Sequence, residues 1–140
     1  MNIIQSSSKD DIKTIFNGIN QFNFTHAKQV IEDQNCGDIE AVMKSEDGEV
    51  IGGALATLGY YGGVMVKVLW VKESSRGKGV GRKLMKDIES QAVKRGASTS
   101  FLDTFSFQAK DFYIKLNYEV YGTVNNFPEG HDWYYLKKVL

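Results

Sequence analysis

Arg76-Gly77-Lys78-Gly79-Val80-Gly81-Arg82-Lys83 is the stretch from which the fold can be read. It follows Val64 to Val71, an apolar run rich in β-branched residues that reads as a central strand buried on both faces. It opens a helix predicted from about Val80 to Arg95, with Val80, Leu84, Ile88 and Ala92 as the apolar stripe and Gly96 as the stop. Ser98 to Thr104 reads as the next strand. A strand, a glycine loop, a helix and a strand in that order imply a parallel pair joined by a right-handed crossover.

The loop has the chemistry of a diphosphate site. The first turn of a helix carries unpaired N–H groups and the positive end of the helix dipole. Glycines let the backbone approach a ligand. Arg76, Lys78, Arg82 and Lys83 add cationic side chains at the same point. A tight turn followed by a solvated basic helix start would have the same composition, so the order of the flanking elements carries the weight. A Walker-type loop needs Ser or Thr after Gly-Lys, and Gly77-Lys78 is followed by Gly79. A dinucleotide fingerprint is a closer rival, because Asp103 ends the next strand where a ribose-binding acid would sit. That fingerprint needs its first glycine directly after the strand. Here Lys72-Glu73-Ser74-Ser75-Arg76 intervene, and too few strands follow for a dinucleotide-binding sheet.

Outward from the loop, the remaining elements complete a mixed-sheet α/β domain. Ile3-Ile4 reads as a short opening strand, and Ser8-Lys9-Asp10-Asp11 as a helix start with Ile12, Ile15, Phe16 and Ile19 at helical spacing. Asn20 to Gly37 is polar, with a second short helix expected around Ala27 to Asp33. Ile39 to Lys44 and Val50 to Leu58 form a hairpin across Glu46-Asp47-Gly48-Glu49. Tyr61-Gly62-Gly63 is a further turn. Ala109, Phe112, Tyr113 and Leu116 mark a short helix. Tyr118 to Val124 and Trp133 to Val139 are the last strands, with Pro128 and Gly130 in the loop between them.

Composition narrows the function classes. The chain has 140 residues, enough for one domain, 1–140, and 42% of them are hydrophobic. Lys and Arg number 17, as do Asp and Glu, so the net charge is zero and a general nucleic-acid or membrane-surface binder is not expected. One cysteine, Cys36, allows no intrachain disulfide, and with His26 and His131 as the two histidines no metal site is expected. Met1-Asn2-Ile3-Ile4-Gln5 does not read as a signal peptide, and no apolar run reaches the ~18 residues of a membrane span. A cytoplasmic location is the expectation.

The loop matches the Arg/Gln-x-x-Gly-x-Gly/Ala pattern of the GCN5-related N-acetyltransferases (GNATs), and the chain resembles that family well beyond it. Leu69-Trp70-Val71 looks like the family's strand before the loop, and Phe112-Tyr113-Ile114-Lys115-Leu116-Asn117-Tyr118 resembles its Tyr-x-Lys-x-Gly-Phe/Tyr segment. The segments Asp103 to Ala109 and Phe127-Pro128-Glu129-Gly130-His131 look like a subgroup of small bacterial members. The first ~45 residues are similar in element order alone.

The resemblance implies a GNAT-like mixed sheet whose central parallel strands, here Val64–Val71 and Ser98–Thr104, splay apart around acetyl-CoA, with helices flanking the sheet. It implies that Arg76, Gly77, Lys78, Gly79, Val80, Gly81 and Arg82 hold the diphosphate. Backbone groups of Leu69, Trp70 and Val71 would hold the pantetheine arm and the acetyl carbonyl. Ser106 stands where many members have a cofactor-touching Asn, and Asn117 replaces the glycine that ends the tyrosine helix. Tyr113 matches the tyrosine that protonates the departing thiolate, although its spacing with Ala109, Phe112 and Leu116 also suits a core residue. Lys67 occupies the central strand where relatives often have an acid, leaving Glu40, Glu73, Asp103 and His131 as candidates for the base. The reaction implied is acetyl transfer to a primary amine of a small molecule or a peptide, without a metal. A non-catalytic acyl-CoA sensor is the main rival, and a dinucleotide enzyme a more distant one. The acceptor would be shaped by Phe22 to Glu40 and by Asn125 to Asp132. Tyr118, Tyr121, Trp133, Tyr134 and Tyr135 would serve a homodimer interface or the core.

Overall fold

The computed structural model describes residues 2–140; Met1, the first residue of the N-terminal stretch read above, lies outside the described residues. Helix α1 spans Lys9–His26, α2 Val80–Lys94 and α3 Lys110–Ile114. The strands are β1 Gly37–Lys44, β2 Val50–Leu58, β3 Gly63–Val71, β4 Thr99–Phe105, β5 Glu119–Val124 and β6 Trp133–Val139. They form one six-stranded sheet in the order β1-β2-β3-β4-β6-β5. β3 and β4 run parallel, joined by the α2 crossover, and every other neighbouring pair is antiparallel.

The central pair is short. β3 and β4 are in register only from Gly63–Thr99 to Met65–Phe101. The cause lies on the other side of β3. Against β2, Val66 pairs with Ala56 and Val68 with Leu55, so Lys67 is an extra residue. Such a bulge bends its strand and sharpens its twist. From Val66 onward β3 leaves β4, and the two strands open as a fork toward the end of β3 that leads into the glycine loop.

One face of the sheet carries the core. α2 buries Val80, Leu84, Met85, Ile88 and Ala92 against it, and Ile39, Ala54, Leu58, Val64, Leu102 and Leu136 answer from the strands. Gly52 sets how closely α2 can sit: a Cβ there would lie 3.0 Å from Val80, 3.1 Å from Leu84 and 3.1 Å from the Trp70 carbonyl oxygen. α2 ends where expected, at Gly96, whose φ is +98°. Asn117 (φ +69°) takes the left-handed position after α3. The Tyr118 hydroxyl anchors this face, 2.8 Å from Ser100 Oγ and 3.0 Å from a Glu89 carboxylate oxygen.

Three expectations are corrected. Ile3 and Ile4 form no strand; they are 96% and 78% exposed and pair with nothing that would order them as one. α1 continues to His26 through the polar stretch after Ile19, and in place of the second short helix expected around Ala27 to Asp33 there is a single 3-10 turn, Asp33–Asn35. The start of α1 is fixed by a capping box in which the Asp11 N–H donates to the Ser8 side chain and the Ser8 N–H donates to the Asp11 carboxylate. Finally, β3 is buried on one face only. Val64 and Val66 are in the core, but Met65, Val68 and Trp70 are 43%, 47% and 48% exposed, because no helix covers the opposite face.

The tight seat of α2 gives a test. Gly52→Ala should lower stability by about 1–3 kcal/mol through overpacking. Gly53→Ala, whose Cβ would meet nothing closer than 3.4 Å, should cost less. Urea unfolding of the two variants measures the difference.

Candidate active site

The fork, the glycine loop and α3 converge on one region. β3 ends at Val71, a short 3-10 turn covers Glu73–Ser75, and Arg76 to Gly79 turns the chain into α2. Gly77 and Gly79 have φ of +72° and +80°, and a Cβ at either would meet no heavy atom within 4 Å. Their conformation, not crowding inside the protein, calls for glycine. Gly79 is the N-cap and supplies no side-chain cap, so the first N–H groups of α2 are left without intrahelical acceptors. Arg76 donates from Nε to the Val71 carbonyl at 3.0 Å, and Lys78 from Nζ to the Ser74 carbonyl at 2.9 Å. These contacts lock the loop to the end of β3. Arg82 and Lys83 are exposed beside it, while Val80 is buried and offers the loop only its backbone.

Gly81 has a different reason to be glycine. A Cβ there would lie 3.2 Å from the Phe112 ring and 3.7 Å from Val71. It lets α3, which carries Tyr113, pack against the start of α2 and the end of β3. Leu69 and Val71 pack against the core from β3, whereas the Trp70 side chain lies on the uncovered face.

Tyr113 is 7% exposed, yet its hydroxyl finds no protein hydrogen-bond partner among the described residues. Burial, then the nearby Asp103 carboxylate, pushes its pKa up to about 12. Tyr118, whose ring centroid is 5.9 Å from that of Tyr113, is also raised, chiefly by burial, but its hydroxyl is already engaged with Ser100 and Glu89. Of the two, Tyr113 is the one with a free hydroxyl.

Asp103 is the candidate base that shares this gap. It lies two residues beyond the last β3–β4 pair; carrying that register forward sets Lys67 and Asp103 opposite each other across the fork. Asp103 is exposed, and one of its carboxylate oxygens accepts from Trp133 Nε1 at 3.0 Å. Glu40 lies on β1, two strands away from β3, and Glu73 in the turn before the glycine loop. His131 belongs to the β5–β6 loop, with its ring edge-on to Phe107. The sequence left these four level; the register across the fork separates them.

Ser106 also holds the β5–β6 loop. Its N–H donates to the Asp132 carbonyl at 2.8 Å, its Oγ accepts from the Asp132 N–H at 3.1 Å, and the same oxygen is 3.4 Å from His131 Nδ1. It ties the β5–β6 loop to the end of β4. Asp132 is held from the other side by the Asn126 N–H and the Asn125 side chain, which keep its carboxyl below the usual carboxylate range. The loop beside the fork is therefore pinned at its base.

The family model of the GNAT acetyltransferases matches residues 9–118 of this chain. The chain belongs to the GNAT family. It is an N-acetyltransferase, which sets aside both the acyl-CoA sensor and the dinucleotide enzyme. Among solved structures, an acetyltransferase from Bacillus cereus is 33% identical with a TM-score of 0.81, covering 100% of this chain and 99% of its own. A blasticidin-S acetyltransferase of Streptomyces morookaense is 31% identical over 96 residues, 68% of this chain and 70% of that protein. A Bacillus anthracis protein of the same fold, 17% identical with a TM-score of 0.66 over 74% of this chain and 63% of its own, was solved in complex with acetyl coenzyme A.

The raised Tyr113 pKa predicts a pH signature. Below about pH 10 the phenol is protonated in both folded and unfolded chains and its burial carries no charge penalty. Above that, the unfolded chain releases the proton while the folded one retains it until about pH 12, so stability should fall across this window. Tyr113→Phe should lessen the fall, with Tyr118, also raised by burial, supplying the rest, as read by urea unfolding at pH 9, 10 and 11.

Proposed function

We propose that this GNAT enzyme transfers the acetyl group of acetyl-CoA to a primary amine of a small molecule or peptide, with Tyr113 as the acid at the leaving thiolate and Asp103 as the group that receives the amine. What supports this reading is the free Tyr113 hydroxyl, raised in pKa by burial and then by the Asp103 carboxylate, which the β3–β4 register sets across the fork from Lys67. The fit to acetyl-CoA rests on the glycine loop. Two left-handed glycines open onto space, and the first N–H groups of α2 lack intrahelical acceptors, which suits a diphosphate.

In this scheme Gly77, Lys78, Gly79 and the first N–H groups of α2, from Val80 to Arg82, bind the diphosphate, with the Arg82 side chain beside them. Arg76 braces the loop against Val71. The β3 backbone from Leu69 through Trp70 to Val71 has lost its β4 partner and offers its polar groups to the pantetheine amides. Gly81 acts through packing rather than contact, and Ser106 through the loop it holds.

An alkylammonium must lose a proton before it attacks. Asp103 holds the ammonium and accepts or relays that proton. The amine nitrogen then bonds to the acetyl carbon, the carbon–sulfur bond breaks, and the thiolate takes the Tyr113 proton. The nitrogen sheds its second proton to give the amide, and that proton restores the Tyr113 phenol through solvent. A phenol with a pKa near 12 remains protonated at neutral pH and can donate to that thiolate. Lys67 across the fork suits an acceptor that carries a negative or carbonyl group near its amine. Similarity to an enzyme named for blasticidin S supports a small-molecule acceptor. The proposed partners are acetyl-CoA, the amine and a second copy of this chain. The proposed compartment is the cytoplasm, where a lone thiol such as Cys36 stays reduced.

Two variants test the roles. Tyr113→Phe should lower kcat by about 10²–10⁴-fold while acetyl-CoA affinity hardly moves. Asp103→Asn should raise KM for the amine and shift the alkaline rise of kcat/KM, in steady-state assays across pH. If Tyr113→Phe keeps most of its single-turnover rate, the hydroxyl is not the acid. Activity is expected to survive a chelator; loss with recovery on added zinc would overturn the metal-free reading.

A further inference from the structure

α1 shows its faces the wrong way round for a helix that belongs to its own chain. Ile12, Ile15, Phe16, Ile19 and Phe22 fall on one stripe at helical spacing, and they are 44%, 66%, 62%, 50% and 60% exposed. None of the helix's side chains is buried. The side that meets its own chain is mainly polar: Asn17, Gln21, Phe24 and Thr25 face a cleft shared with Asp33 and Tyr60. Phe24 packs edge-on to Tyr60 with centroids 5.3 Å apart, on the side of the helix away from the stripe. The connection is anchored. Ile31 is buried, and the Val30 and Ile31 N–H groups both donate to the Tyr60 carbonyl, at 3.0 and 2.9 Å.

The same chain has an apolar surface that lacks a cover. On the sheet face opposite α2, Val42, Leu55, Met65 and Val68 are 56%, 42%, 43% and 47% exposed across β1, β2 and β3. We propose that the α1 stripe of one chain lies across this β1–β3 face of a second copy, and the reverse, in a two-fold helix-exchanged dimer. This inference does not depend on the acetyltransferase chemistry.

Dimensions, charge and area agree with that occupant. An 18-residue helix is about 27 Å long, and strands of 8 or 9 residues run about 26–30 Å. Lys9 and Lys13 border one side of the stripe, and Asp38 and Glu40 border the sheet patch along β1. Five large side chains about half exposed offer roughly 80–100 Å² each, or about 400–500 Å² per helix. With a similar area from the sheet, and the contact made twice by symmetry, the total is about 1,600–2,000 Å², the size of a stable dimer interface.

The test uses the full chain at micromolar concentration. Sedimentation should give twice the chain mass. Ile15→Asp with Phe16→Asp on the helix, and separately Leu55→Asp on the sheet, should each raise the dimer dissociation constant by about a hundred-fold or more, with far-UV circular dichroism confirming that the chains still fold. In a Cys36→Ala background, chains carrying Phe16→Cys mixed with chains carrying Leu55→Cys should form a mixed disulfide-linked pair on oxidation. A monomeric wild-type chain overturns the proposal. So does a dimer indifferent to these substitutions, or a double-cysteine chain that closes within itself, which would mean that α1 folds back on its own sheet.

Discussion

Parallel pairing between β3 and β4 lasts for three residue pairs, and the rest of the active region depends on its stopping there. The bulge at Lys67 removes β3 from β4 while leaving it bonded to β2. Two strands thus lose ladder partners in the middle of a sheet, where unpaired polar backbone would ordinarily be costly. The arrangement persists because the opening faces solvent and the glycine loop beyond it. The bulge also decides which side chains flank the gap, placing Lys67 on one side and Asp103 on the other.

Around this opening, small residues regulate distance. Gly52 allows α2 to sit low on the sheet, and Gly81 allows α3 to close against α2 through Phe112. α3 is only five residues long, so its direction is set by that contact and by the left-handed turn at Asn117. Where Tyr113 sits is thus set by packing several residues away, at Gly81 and Asn117. Its position is sensitive to methyl-sized changes at residues remote from its hydroxyl.

Much of this was legible in the sequence because the signals were local. The glycine spacing from Gly77 to Gly81, the stripe of α2, the stop at Gly96 and the Asn117 turn each follow from the conformations that individual residues allow. The β1–β2 hairpin was equally readable from its Asp47-Gly48 turn. The bulge was not, because Val64 to Val71 is an unbroken apolar and β-branched run around one lysine, and a bulge there needs no glycine. Why Asp103 stands apart from the other candidate bases was hidden for the same reason: its place opposite Lys67 follows only from the register of the fork. The length of α1 was obscured by Asn20, Asn23 and Thr25, poor helix formers through which the helix nonetheless runs to His26. The composition of β3 suits burial on both faces, but composition does not say whether an element of the chain lies over a face, and here α2 lies over one side alone.

The short β3–β4 contact also divides the sheet into two leaves. One holds β1, β2, β3 and α2; the other holds β4, β6, β5 and α3. Between them the strand contact runs from Gly63 to Met65, with the Tyr118–Glu89 and Lys138–Glu89 bonds as side-chain stitches. A ligand whose amides bond to both freed edges would act as a missing strand and join the leaves into one elastic body. The mechanical stiffness of the domain is then partly a property of its substrate, so the empty protein should breathe about this line and the loaded one should not.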